Sequence, residues 1–237
     1  GSTSKSPFSI NPSMRNGRFC MKTICHFIST MDSNFSCQDF CLEITSLIKR
    51  IYIQNEVDIS HLLNHPTDRL TASAIIYSRK KDEVWMIGDC QCLLDGVLYE
   101  NPKPDEEKIA KHRSLYINTL LNSGHQVEEF EMNDTGRTYI LPELIHSCLR
   151  QNIDYAVIDG FDIPLDKVKI LNAEKTSEII LASDGYPFLR NSLIESEKCI
   201  EHQLINDPLF IDTYKATKGL IHGNKSFDDR SYIKFKK

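Results

Sequence analysis

The chain predicts an α+β fold in which antiparallel sheets carry helices on their outer faces, and three observations point there. Long stretches near the start repeat apolar residues at helical spacing. The middle of the chain then switches to short β-branched and aromatic runs joined by tight turns, among them Asp95-Gly96. Helices and strands also come in blocks, without the regular βαβ alternation that builds a parallel sheet. No internal repeat, low-complexity tract or Pro/Gly/Ser-rich linker interrupts the 237 residues. One domain spanning residues 1–237 is the economical expectation.

Taken in order, Met14 to Thr30 places Cys20, Ile24, Phe27 and Ile28 on one helical face. Ser36 and Asp39 have the spacing of an N-terminal capping pair. Behind them Cys37, Cys41, Ile44, Ile48 and Ile51 form the stripe of an amphipathic helix. A short helix, Ile59 to Asn64, ends at His65-Pro66. Thr71 to Ser78 and Glu83 to Ile87 read as strands about a polar turn, and Gln91 to Leu94 pairs with Val97 to Glu100 across Asp95-Gly96. Pro104 and the acidic Asp105-Glu106-Glu107 open a helix that runs to Asn122. Thr135 to Ile140 is expected to be extended, and Pro142 starts a helix through Arg150. Tyr155 to Ile158, Val168 to Ala173 and Glu178 to Ala182 read as strands. Asn191 to Ile205 and Asp207 to Thr217 read as helices, and Ser231 to Lys236 as a last strand.

Composition narrows the function classes. A net charge of −5 argues against a nucleic-acid-binding surface spread over the whole protein and leaves only a local basic patch open; no nucleic-acid partner is expected. No apolar stretch approaches the roughly 20 residues that cross a bilayer, so no membrane partner is expected. The start, Gly1 to Asn11, is polar and lacks a hydrophobic signal region. The eight cysteines lie mostly among apolar residues, as small buried hydrophobes do, and the expected compartment is the cytoplasm. There is no Walker A loop, no G-x-G-x-x-G, no G-x-S-x-G, no H-E-x-x-H and no C-x-x-C. The cysteine-phosphatase loop, a cysteine followed six positions later by arginine, is also missing. His61 and His65 form the one ligand-spaced histidine pair, but they straddle a helix end.

Carboxylates remain. Glu178 to Asp184 reads E-I-I-L-A-S-D and is followed by Gly185. An apolar strand thus delivers an aspartate to the rim of the core, where a cation or hydrogen bonds must compensate its charge. Asp-Gly also marks plain turns, so spacing alone leaves Asp184 either functional or a turn residue. Asp159-Gly160 competes with it, and Asp95-Gly96 is explained by its hairpin. Further on, Lys225-Ser226-Phe227-Asp228-Asp229-Arg230-Ser231 sets two adjacent, mutually repelling acids before the last strand. Their compensation is either a metal or a salt bridge with Lys225 or Arg230.

Four pieces then stand in order. They are Leu70-Thr71-Ala72-Ser73-Ala74 with Val84-Trp85-Met86-Ile87-Gly88-Asp89-Cys90, Tyr155-Ala156-Val157-Ile158-Asp159-Gly160, Ile180-Leu181-Ala182-Ser183-Asp184-Gly185, and Ser226-Phe227-Asp228-Asp229-Arg230-Ser231. Together they resemble the metal-dependent serine/threonine protein phosphatases of the 2C type, in a divergent, bacterial-like form. The resemblance runs from about residue 70 to the last residue. It implies a four-layer α-β-β-α sandwich of two antiparallel sheets flanked by helices. It further implies that Asp184 and Asp228 hold one of two Mg²⁺ or Mn²⁺ ions, for which hard oxygen ligands are suited. Water activated by the metals would attack phosphorus in line, without a covalent phosphoenzyme, and the partner would be a phosphoprotein or phosphopeptide substrate. Asp229 would support the site, and Asp89 would be mainly structural.

The departure is at the beginning. The family uses an upstream Glu and an Asp-Gly pair, whose Asp bridges both metals and whose Gly offers a backbone carbonyl. Here the sequence starts Gly1-Ser2-Thr3-Ser4-Lys5-Ser6-Pro7. Either this is the tail of an Asp-Gly segment, with Gly1 on the second metal's side and Lys5 or Arg15 meeting phosphate, or it is a Gly-Ser remnant of cloning. One set of metal ligands is therefore incomplete in the chain. The alternative function is a non-catalytic, phosphatase-like domain that binds phosphopeptides or regulates. A third is an unrelated α+β binding protein whose two aspartates only turn the chain. The insert from Glu100 to Gln151 either bears on substrate choice or simply covers a sheet.

Overall fold

The computed structural model describes residues 8–237. In chain order its helices are α1 (Asn16–Thr30), α2 (Cys37–Gln54), α3 (Ile59–Asn64), α4 (Glu106–Asn122), α5 (Val127–Met132), α6 (Thr135–Tyr139), α7 (Leu141–Leu149) and α8 (Leu193–Asn206). Its strands are β1 (Ala74–Ser78), β2 (Glu83–Ile87), β3 (Gln91–Leu94), β4 (Val97–Glu100), β5 (Lys169–Asn172), β6 (Glu178–Ala182) and β7 (Tyr232–Lys236). They form two antiparallel sheets, ordered β1-β2-β5 and β4-β3-β6-β7. The expected α+β class with two antiparallel sheets is what the chain adopts. Its contacts cluster into two compact units. One comprises the described residues up to Cys90 with Ile145–Lys175, the other Gln91–Leu144 with Thr176–Lys237.

In the first unit, Ser36 caps α2: its hydroxyl accepts from Asp39 N, and the Asp39 carboxylate accepts from Ser36 N at 2.8 Å. That reciprocal pair satisfies donors the helix itself cannot. The α2 stripe Cys37, Phe40, Cys41, Ile44, Ile48 and Tyr52 is buried, with Cys20 and Ile24 of α1 and Trp85 of β2 in the same core. Each such large side chain contributes about 1.5–3 kcal/mol by leaving water. Beside this core, Asp159 is fully buried. Its carboxylate accepts from Arg69 Nη1 at 2.9 Å, Gln151 Nε2 at 3.0 Å, Asn152 Nδ2 at 2.9 Å and Phe161 N at 2.9 Å. Burial pushes this carboxyl above the ordinary aspartate value, against the pull of Arg69 and the amide donors. Asp159-Gly160 is thus a knot in the core and does not present an acid to solvent. Tyr155 to Ile158, expected as a strand, makes only the single bridges Ala72–Ile158 and Gln151–Tyr155. The Asn152 side chain takes Val157 N, a donor that a sheet partner would otherwise have bound.

In the second unit, Asp95 and Gly96 both have positive φ, 47° and 84°, and turn β3 into β4 with Leu94 opposite Val97. The Asp95 carboxylate also accepts from Ser177 N and Glu178 N, so the same turn starts β6. Two expectations fail here for one reason. Thr135 to Ile140, read as extended, is largely the helix α6, because Asp134 caps it by accepting from Arg137 N at 2.8 Å. Asp207 to Thr217, read as a helix, is a loop. The Asp207 carboxylate takes the amides of Ile211 and Asp212, bending the chain away from the helical path. Helix α5 was not expected at all. Its signal is local, since Gln126 N donates to Glu129 Oε1 three residues on.

Candidate functional site

Ile179, Ile180 and Leu181 are buried, and the strand they build ends by delivering Ser183 and Asp184 to a turn. Gln91, at the start of β3 and 5% exposed, holds that turn from below. Its Nε2 donates to Ser183 O at 2.9 Å and to Tyr186 O at 2.7 Å, bracketing Asp184-Gly185. Asp184 itself is exposed.

The segment before β7 is fastened to this turn. Ser183 N donates to Ser231 O at 3.1 Å, and Ser231 N donates to Ser183 Oγ at 3.0 Å. Gly185 lies directly on the next peptide: a Cβ there would stand 2.4 Å from Asp229 O and 2.9 Å from Arg230 Cβ. The two aspartate-bearing segments therefore adjoin at one end of β6 and β7, and only glycine allows the approach.

A second tie runs through α8. Glu197 accepts from Tyr186 OH at 2.6 Å and from Arg230 Nε at 2.9 Å, with Arg230 Nη2 on its other oxygen. The guanidinium beside Glu197 holds its carboxyl below the usual glutamate value. Burial, with the Glu197 hydrogen bond adding to it, pushes the Tyr186 phenol up to about 12. Tyr186 follows Asp184 by two positions and Arg230 follows Asp228 by two, so one carboxylate pins both segments.

Asp228 is itself engaged. Its Oδ1 accepts from Asp229 N at 2.8 Å, and its Oδ2 pairs with Lys218 Nζ at 2.6 Å. The preceding Phe227 ring stacks on Phe210 at 4.1 Å. Two carboxylates on adjoining turns are hard donors of the kind Mg²⁺ or Mn²⁺ takes. Among the described residues, however, no group of three or more His, Cys, Asp or Glu side chains is arranged to hold a metal ion. Asp184 and Asp228 supply two carboxylates on adjoining turns, and Lys218 stands on one of the Asp228 oxygens.

The remaining sequence expectations fall as follows. Gly1 and Lys5 lie outside the described residues. Arg15 is the N-cap position of α1, in the first unit. Asp89 accepts from Ser73 Oγ at 2.5 Å. Asp229 is exposed and meets Gly185 through its backbone carbonyl. His61 and His65 stack ring on ring at 4.1 Å, and His61 Nε2 lies 2.8 Å from Asp68 Oδ2. Sequence reasoning missed Gln91, Glu197 and Lys218. For Gln91 no local signal exists, because its partners lie some ninety positions away.

No protein-family model matches the chain, and no curated protein matches it either. A crystal structure described as a bacterial serine phosphatase bearing a mutation aligns over 92% of this chain and 76% of its own, with a TM-score of 0.35 and 13% identity. A likeness of that size fixes neither fold nor chemistry. No described helix is long and apolar enough to cross a membrane.

Proposed function

We propose that the chain is a metal-dependent phosphoprotein phosphatase of the 2C-like type, hydrolysing phosphoserine and phosphothreonine monoesters. The observation that carries this reading is the close seating of Gly185 on the Asp229 carbonyl, which brings the Asp184 and Asp228 turns together. The last two of the four segments that carry the resemblance thus adjoin at one end of β6 and β7. Asp184 and Asp228 would hold Mg²⁺ or Mn²⁺, and Asp229 would support them. When bound, the ion would supply Lewis-acid polarisation of the phosphoryl group and activation of water. The chain's own part is orientation. Gln91 fixes the carbonyls on either side of Asp184-Gly185, Glu197 ties Tyr186 to Arg230, and the Ser183–Ser231 pair sets the register of the two turns.

One observation favours a second reading, a non-catalytic phosphopeptide-binding domain with the same fold: both Asp228 oxygens already have partners. Mn²⁺-dependent hydrolysis of an aryl phosphate separates the two, measured on the whole chain beside Asp184→Asn and Asp228→Asn. Each substitution is expected to lower turnover by more than the roughly 10–100-fold that loss of an outer metal partner costs. Activity untouched by both would sink the phosphatase reading. In a protein that also carries the upstream Glu and Asp-Gly pair, absence of turnover together with phosphopeptide binding would favour the second.

A further inference from the structure

Lys218 is not an ordinary surface lysine, because the peptide groups on both sides of it are anchored. Thr217 O accepts from Arg137 Nη1 at 3.1 Å, and Gly219 N donates to Asp134 Oδ2 at 3.1 Å. One residue earlier, Ala216 O accepts from Arg113 Nη1 at 3.2 Å. Arg113 is fully buried and Asp134 is 8% exposed, so the anchors of Ala216 and Gly219 belong to the core of the second unit, while Arg137 is half-buried. Gly219 is seated so closely that a Cβ would stand 2.9 Å from Arg113 Nη2. The same loop carries Phe210, on which Phe227 stacks. Lys218 therefore stands on a loop whose backbone is fastened to Arg113 and Asp134, Asp228 follows a ring stacked on the same loop, and the two pair at 2.6 Å with side chains 32% and 28% exposed. Exposed ion pairs are usually weak, partly because two long side chains must be ordered. With its backbone held at both sides, Lys218 has less freedom to lose.

We infer that Lys218 is a built-in counter-cation for Asp228 that competes with a divalent ion for the same carboxylate oxygen and so sets metal affinity. The inference rests on the reading of Asp228 as a metal ligand. A divalent ion approaching Oδ2 meets a like charge already there, and it gains full use of the oxygen only as the ammonium moves off. Lys218 is a positioning residue in this account, since it acts through Asp228.

Mn²⁺ binding tests it, followed by titration calorimetry and by the electron paramagnetic resonance signal of the free ion. The proteins are the whole chain, Lys218→Met, Lys218→Arg, Asp184→Asn, Asp228→Asn and Lys218→Met with Asp228→Asn. Lys218→Met is expected to bind Mn²⁺ about two- to fivefold tighter, the worth of a partly exposed pair. Lys218→Arg should stay within about twofold of the parent, and the gain should vanish in the Asp228→Asn background. Melting temperatures in EDTA verify that each variant is folded. Binding that needs Asp228 but is unchanged or weakened in a folded Lys218→Met overturns the role of Lys218 alone. Binding indifferent to Asp184→Asn and Asp228→Asn, or absent from both parent and Lys218→Met, overturns the metal reading and the competition with it.

Discussion

Asparagine at position 134 keeps the shape of the side chain and removes its charge, which isolates what the charge does for Arg113. That guanidinium is fully buried, and its donors divide between the Asp134 carboxylate and two loop carbonyls. Nη2 reaches Asp134 Oδ2 at 2.8 Å, and Nη1 reaches Leu209 O at 2.8 Å and Ala216 O at 3.2 Å. Burial pulls Arg113 below the ordinary arginine value, and Asp134 opposes that pull. Arginine does not give up its proton inside a protein, so Asp134→Asn leaves a buried charge without its counter-ion. Breaking one side of such a pair costs about 3–5 kcal/mol. For a chain of this size each kcal/mol lowers the melting temperature by about 2–4 °C, so a fall of about 6–20 °C is expected. Circular dichroism melts give the size of the effect. Hydrogen exchange should show faster exchange at Gly219 and across the Asp207–Gly219 loop while β6 stays protected. Arg113→Met should cost a similar amount, and the double variant far less than the sum. A fall under about 2 °C, or strict additivity, would refute the assignment of Arg113–Asp134 as the clamp of that loop.

Other substitutions probe other parts of the site and core. Gly185→Ala drives a methyl into the Asp229 carbonyl and should destabilise by about 1–3 kcal/mol, read as a lower urea midpoint with weaker Mn²⁺ binding. An unchanged midpoint would mean that the two turns do not touch. Tyr52→Phe removes a buried hydroxyl that donates to Asp159 O and accepts from Leu70 N, and should cost about 1–3 kcal/mol in the same assay. Glu197→Gln tests pH dependence. The native carboxyl lies below its ordinary 4.5, so the unfolded chain takes up the proton first on acidification. Its contribution is therefore complete above about pH 4.5 and lost as pH falls through the lowered native value. Glu197 is 30% exposed, so the parent should exceed the variant by only about 0.5–1 kcal/mol at pH 7. The gap should close in acid, and a gap that widened there would contradict the Arg230 pairing.

At α2 and at the β3–β4 hairpin, sequence and structure agree. The Ser36/Asp39 cap and the stripe behind it define α2, and Asp95-Gly96 defines the β3–β4 hairpin, because caps and turns are decided within a few residues. The apolar run before Asp184 likewise announces β6 and its acidic end. Thr135 to Ile140 and Asp207 to Thr217 went the other way. Each segment is ruled by an aspartate whose side chain competes for backbone amides, and no periodicity of apolar residues reports that competition.

By itself, then, the sequence determined the class of fold, the two antiparallel hairpins and the pair of aspartates worth testing. Tertiary structure decided that Asp159 is a core residue and that Asp184 and Asp228 sit on adjoining turns. It also decided that Lys218, held by a buried ion pair, answers Asp228. The reason is range. Helix stripes and turns repeat within a few positions, whereas Gln91 with Tyr186, Arg113 with Ala216 and Gly185 with Asp229 meet only when distant strands and loops close around a shared core.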